Sequence, residues 1–150
     1  MDKFVITPYT EEVLADVVAI ERESFSTPWT SESLRQAGEM ENSIFLTVTE
    51  GNTAVGFGCI LLAAGEGELV DIAVSPAYRK LGLGQMLMTA LLTEAADRGS
   101  EQIFLEVRQS NTPARTLYEK NGFTAIGLRK KYYKEPVEDA VLMQCRLTPQ

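Results

Sequence analysis

The chain contains no histidine at all. That absence removes the Ser-His-Asp and Cys-His nucleophilic sites and the zinc sites built on imidazole ligands. Acid–base chemistry must then come from carboxylates, tyrosines, lysines or water. Cysteine is nearly as scarce. Cys59 and Cys145 stand apart, without metal or redox spacing, and read as free thiols of a cytoplasmic protein, with no metal expected. No run approaches the roughly 18 apolar residues of a membrane span. Met1-Asp2-Lys3 leads into only a short apolar stretch, so no signal peptide is expected either. Basic charge is in deficit: 14 Lys and Arg face 21 Asp and Glu, for a net charge of −7. Such a balance speaks against direct nucleic-acid binding and suits a cationic partner.

What is present is ordinary in composition and informative in arrangement. A chain of 150 residues, 45% hydrophobic and 23% charged, is expected to form one soluble domain over residues 1–150. Its pattern is organised around Leu69 to Leu92: an apolar strand to Val74, a tight connection, and an amphipathic helix starting near Leu83. Ahead of it lie a short strand ended by Pro8 and a helix capped by Thr10. In that helix Val13, Leu14, Val17, Val18 and Glu21 fall at helical spacing. A break follows over Ser24 to Trp29, then a short helix capped by Thr30. Two β-branched runs, Ile44 to Glu50 and Ala54 to Ala63, meet at Gly51-Asn52 as a hairpin.

Downstream, the long helix ends at Gly99, and Ile103 to Val107 forms a strand parallel to the organising one. Thr112 caps a further helix with Pro113 in its first turn. Phe123 to Tyr133 and Ala140 to Arg146 make a last hairpin, with Glu135 to Asp139 as its loop. The order β-α-α-β-β-β-α-β-α-β-β predicts an α/β layered fold with a mixed sheet.

Between strand and helix stands Arg79-Lys80-Leu81-Gly82-Leu83-Gly84. Glycines that permit close backbone approach, two cations and a helix N-terminus together suit a phosphate. A Walker A loop is excluded, and Leu87 stands where a dinucleotide fingerprint needs its third glycine. The loop resembles the R/Q-x-x-G-x-G/A pyrophosphate loop of the GNAT superfamily of N-acetyltransferases. A second hallmark of that family, N-x-x-A-x-x-L-Y-x-x-x-G-F, matches Asn111, Ala114, Leu117, Tyr118, Gly122 and Phe123. Four further runs extend the resemblance over nearly the whole chain: Phe25-x-x-Pro28-Trp29-Thr30, Leu105-Glu106-Val107-Arg108-x-Ser110-Asn111, Tyr132-Tyr133 and Glu138-Asp139-Ala140-x-x-Met143. They point to those members that acetylate the N-terminal alanine of a small-subunit ribosomal protein.

The resemblance implies a GNAT fold, a mixed central sheet of about seven strands flanked by about four helices. It implies acetyl-CoA as co-substrate, with the pantetheine arm beside Ile72, Ala73 and Val74. The pyrophosphate would then meet Lys80, Leu81, Gly82, Leu83, Gly84 and Gln85, with Arg79 as a flanking cation and Asn111 in contact with the cofactor. Backbone N–H near Val74 would face the developing oxyanion. Glu106 is implied as general base and Tyr118 as general acid.

Read physically, each assignment has a rival. Alternation puts Phe104, Glu106 and Arg108 on one face. Glu106 is then either a carboxylate with a raised pKa in partly apolar surroundings or the ion-pair partner of Arg108. Tyr118, next to Leu117, also suits a core position, Asn111 a turn or cap, and Trp29 the core. The acceptor groove is expected between Phe25 to Thr30 and Tyr132-Tyr133. Glu135, Glu138 and Asp139 beside it are expected either to attract a basic peptide or to form a solvated loop. A small-molecule amine or a protein lysine remains the alternative acceptor, and a non-catalytic acyl-CoA-binding module the alternative class.

Overall fold

The computed structural model describes residues 3–147. Seven strands form one mixed sheet in the order β1-β2-β3-β4-β5-β7-β6. They are β1 (Phe4–Pro8), β2 (Ser43–Glu50), β3 (Thr53–Ala63), β4 (Glu66–Val74), β5 (Gln102–Arg108), β6 (Thr124–Lys134) and β7 (Val137–Arg146). The helices are α1 (Leu14–Ser24), α2 (Ser31–Glu39), α3 (Leu83–Asp97) and α4 (Thr112–Lys120). Only β4 and β5 run parallel, as a connection through α3 requires.

Both faces of the sheet are covered, and the alternation of β2 shows how. Ile44, Leu46 and Val48 join the core that includes Leu83, Leu87, Met88 and Leu91 of α3 and Tyr118 of α4. Phe45, between them, joins the opposite core with Val17 and Ile20 of α1, Leu34 of α2, and Phe57 and Cys59 of β3. Period-two patterning thus splits one apolar run between two layers. Close approach of α3 to β3 depends on Gly58, where an added Cβ would meet Leu91 Cδ1 at 2.6 Å.

Two irregularities in β4 position the site. Cys59 pairs with Asp71 and Ile60 with Leu69, so Val70 is an extra, unpaired residue. Such a bulge bends the strand and increases its twist. Beyond it, Leu69 and Ile72 join the α3 core whereas Val70 packs on the α1 side, and Asp71 faces Glu21 of α1. Just before the bulge β4 parts from β5: their pairing stops at Glu68–Phe104. Strand β5 goes on against β7 as far as Arg108–Ala140.

Several local expectations are corrected. Thr10 makes no side-chain cap; a short 3-10 turn, Glu11–Val13, leads into α1 instead. Thr30 does cap α2, its hydroxyl accepting from Ser33 N–H at 3.0 Å. The cap of α4 is Asn111 rather than Thr112, its Oδ1 accepting from Ala114 N–H at 3.2 Å. The last hairpin turns at Glu135-Pro136, not across a five-residue loop, because Val137 and Glu138 already pair with Lys134 and Tyr133. The extra length is absorbed in β6 between Arg129 and Tyr133, where Lys131 has φ +53°.

The packing of Gly58 gives a stability test. Gly58→Val should lower unfolding free energy by about 2 kcal/mol, within the usual range for overpacking a filled core. An unchanged urea midpoint would mean that Leu91 can swing aside without loss.

Candidate active site

The phosphate-type loop has the backbone that its sequence suggested. A 3-10 turn, Pro76–Tyr78, leads to Lys80 at φ +66° and Gly82 at φ +82°, both left-handed. Gly82 is the N-cap of α3, and the first helical bond runs from Met86 N–H to its carbonyl at 3.1 Å. The N–H groups of Leu83, Gly84 and Gln85 therefore project at the positive end of the helix. A Cβ built on Gly82 meets nothing within 4 Å, so the cradle is open on that side. Leu81 is exposed beside it, while Leu83 is buried in the core.

Two side chains expected at the pyrophosphate are engaged within the protein. Arg79 donates from Nε to Val74 O at 3.0 Å and from Nη2 to Ser24 Oγ at 3.3 Å. Gln85 and Asn121 exchange amide hydrogen bonds of 2.8 and 3.0 Å, tying α3 to α4. What the loop offers an anion is accordingly its backbone, with exposed Lys80 beside it.

Adjoining the cradle is the edge that β4 leaves open. Ile72, Ala73 and Val74 pair with Gly58, Phe57 and Gly56 on the β3 side, and their register with β5 has already ended. A free strand edge leading to a set of forward-pointing N–H groups fits an extended amide chain that ends in a pyrophosphate. The residues present fit acetyl-CoA on that ground.

Glu106 lies on β5 at the parting of the strands. Its expected apolar surroundings are not what the structure holds, and neither is an ion pair with Arg108. Oε2 lies 2.6 Å from Arg129 Nε on β6, and the carboxylate also accepts from the Tyr132 hydroxyl, which raises that phenol's pKa. Tyr118 reaches the same region from α4. Burial first, then Asp71 and Tyr133, push its phenol far above the ordinary value. Tyr133 is pushed up to about 12 by burial and by Glu106. Tyr133 therefore neighbours both Tyr118 and Glu106.

Arg108 builds the rim instead. Its guanidinium lies 4.4 Å from the Tyr133 ring centroid and donates to Pro136 O, Glu138 Oε1 and Ser26 Oγ at 2.9, 3.4 and 3.2 Å. One side chain thus bridges the last hairpin and the loop between α1 and α2. Glu138 also accepts from Ser110 N–H at 2.5 Å, and Asp139 from Lys131 N–H at 2.8 Å. Lys130 Nζ lies 3.7 Å from Asp139 as well. Two of the three carboxylates expected to attract a basic peptide are therefore spent on holding the hairpin.

Two acids went unremarked as functional in the sequence. Glu21 and Asp71 are 1% and 8% exposed and face each other between α1 and β4. Burial, then the contact with Glu21, pushes Asp71 up to about 9. The sequence did hold a signal: each is a carboxylate inside an apolar pattern, Glu21 on the stripe of α1 and Asp71 within Leu-Val-Asp-Ile-Ala-Val. Among the described residues no three His, Cys, Asp or Glu side chains are grouped as a metal would need, and no helix is long and apolar enough to cross a membrane.

Comparison with known proteins agrees with this geometry. Residues 14–123 match the model of the acetyltransferase (GNAT) family, and the chain belongs to that family. It is an acetyl-CoA-dependent N-acetyltransferase. It is similar to the ribosomal protein bS18-alanine N-acetyltransferase of Haemophilus influenzae, at 36% identity over 85% of this chain and 88% of that one. The crystal structure of the ribosomal-protein-alanine N-acetyltransferase from Escherichia coli superposes with a TM-score of 0.90, at 29% identity over 98% of this chain and 96% of that one. Ard1 from Thermoplasma volcanium shares the fold, with a TM-score of 0.91 at 23% identity, over 98% and 99% of the two chains.

The cradle yields a binding prediction. Gly82→Val places a branched residue at φ +82°, a conformation that penalises a Cβ by about 1–2 kcal/mol. Acetyl-CoA affinity measured by calorimetry should fall at least about 10-fold in a folded variant. Unchanged affinity would remove the pyrophosphate from this loop.

Proposed function

We propose that the chain acetylates the α-amino group of the N-terminal alanine of a small-subunit ribosomal protein, in the cytoplasm, with Glu106 as general base and Tyr118 as general acid. The observation that carries the reading is the placement of one partly buried carboxylate and one buried phenol around Tyr133, beside the open edge of β4. The activity that the relatives are named for, transfer to the alanine of ribosomal protein bS18, supports the choice of acceptor.

An α-ammonium has a reference pKa near 8, so little driving force is needed to make it nucleophilic at neutral pH. Glu106 accepts that proton, directly or through a water. Arg129 and Tyr132 fix the carboxylate, and the arriving ammonium competes with Arg129 for it. The thioester of acetyl-CoA supplies the activated acetyl group. Backbone N–H near Val74 faces the carbonyl oxygen as negative charge develops there.

Tyr118 protonates the departing sulfur. Its raised pKa keeps the phenol protonated at any working pH. The dry surroundings that raise the phenol also make a thiolate more basic, so donor and acceptor stay matched. In this reading Asn111 serves the site by capping α4, the helix that carries Tyr118. The Ser24 to Thr30 loop and the Tyr132-Tyr133 hairpin form the walls of the acceptor groove, joined by Arg108.

The test uses peptides that begin with Ala, free or N-acetylated, with acetyl-CoA. Free peptides should be turned over and blocked ones should not. Tyr118→Phe should lower kcat by about 10²-fold, in the range of a lost general acid. Glu106→Gln should slow turnover most near and below neutral pH, where the amine is still protonated. Turnover of the blocked peptide at a lysine would make this a lysine acetyltransferase, and full activity of both variants would move the chemistry elsewhere.

A further inference from the structure

We propose that Glu21 and Asp71 act as a positioning pair, one proton shared between two carboxyls, that clamps the acceptor loop between α1 and α2 onto the cofactor-binding strand β4. The inference rests on reading that loop as a wall of the acceptor groove.

The pair exists because of the bulge. Without the extra Val70, Asp71 would alternate to the other face; with it, Asp71 turns toward α1 and lies opposite Cys59. Glu21 stands about two turns into the packed stripe of α1, between core neighbours Val17 and Ile20 and the start of the loop. Its Oε2 accepts the backbone N–H of Trp29 at 2.9 Å, eight residues on. Sequence, bulge and helix phase thus produce one chain of contacts from buried Asp71 through buried Glu21 to partly buried Trp29.

The chemistry of that chain calls for a proton. Glu21 Oε1 and Asp71 Oδ2 are buried without any partner in the described residues. Two carboxylates so enclosed cannot both carry charge, since each would forfeit hydration and repel the other. The titratable groups that face Asp71 are Glu21 from α1, Cys59 from β3 and Tyr118 from α4. Each of these is neutral or negative, so none neutralises a second charge. A single proton makes Asp71 a donor to Glu21 and leaves Glu21 an anionic acceptor for Trp29 N–H, a charge-assisted bond.

The other side-chain hydrogen bonds to this segment are exposed, Arg79 to Ser24 and Arg108 to Ser26, while the Trp29 ring packs on the α1-side core. In water such hydrogen bonds hold a loop weakly. The acid pair is the buried polar tie, and it joins the acceptor wall to β4 within the stretch left open after Glu68, next to Ile72.

The sign of the pH effect follows. The pair binds its proton more tightly folded than unfolded, so the clamp is complete at neutral pH. It is lost as pH rises through the folded value, near 9. Trp29 is the only tryptophan in the chain and sits on the clamp, so its emission maximum reports the loop directly.

The experiment compares wild type, Asp71→Asn and Asp71→Leu from about pH 7.5 to about pH 10, reading the emission maximum and the KM for an Ala-initiated peptide and for acetyl-CoA. Asn still donates to Glu21 but cannot titrate. In wild type the emission should shift to the red with a midpoint near pH 9 while the peptide KM rises about 5-fold or more and the acetyl-CoA KM changes less than about 2-fold. Asp71→Asn should show neither change. Asp71→Leu should be red-shifted at every pH, with a peptide KM about 10-fold higher.

An emission maximum that stays put in wild type, or moves equally in Asp71→Asn, overturns the proposal, and neither reading requires Asp71→Leu to fold. Constant peptide KM alongside a red shift overturns the acceptor role of the pair. Should no N-terminal peptide be turned over, the proposed function fails while the fluorescence still decides whether the clamp exists.

Discussion

Strand β4 keeps company with β5 for three residue pairs and then leaves it, and the rest of the molecule is arranged around that parting. A parallel sheet that loses its pairing in mid-strand exposes backbone donors and acceptors that need partners. The bulge at Val70 supplies the bend, and β7 holds β5 in place on its other side. The result is an open strand edge that leads, within a few residues, to the projecting N–H groups of α3. Tyr118 comes to the opening from the α4 layer and Glu106 from β5, so the proposed acid and base come from different elements of the fold.

Charge is distributed to serve position before attraction. The chain is acidic, yet the carboxylates around the opening are mostly committed: Glu106 to Arg129 and Tyr132, Glu138 to Arg108 and Ser110, Asp139 to Lys131 N–H. Partly buried pairs of this kind fix geometry and are screened less than surface charges. Arg79 is an instructive case, since a cation placed beside the proposed phosphate loop turns inward to hold Val74 and Ser24. The anion-binding capacity of the loop accordingly resides in its peptide groups.

Local chemistry was legible in the sequence wherever its cause was local. The strand, left-handed Gly82 and helix run was readable because turn stereochemistry and helix ends depend on neighbouring residues. Glu106 and Tyr118 were readable as a spaced motif. Their surroundings were not: Arg129, which holds Glu106, comes from a strand that pairs with β7 and only through it reaches β5. The bulge in β4 leaves no signature in Leu-Val-Asp-Ile-Ala-Val, because strict alternation fits that run equally well. That Asp71 meets Glu21 was therefore hidden until the register was known. The last hairpin was misjudged for the same reason, with the irregularity falling inside β6 and not at the turn.

The opening between β4 and β5 is tested most directly by amide hydrogen–deuterium exchange with and without acetyl-CoA. Protection should rise over Ile72 to Val74 and at Leu83, Gly84 and Gln85, with β1 and β2 unchanged. Protection confined to other segments, or none at Ile72 to Val74, would contradict the placement of the donor along the open edge of β4.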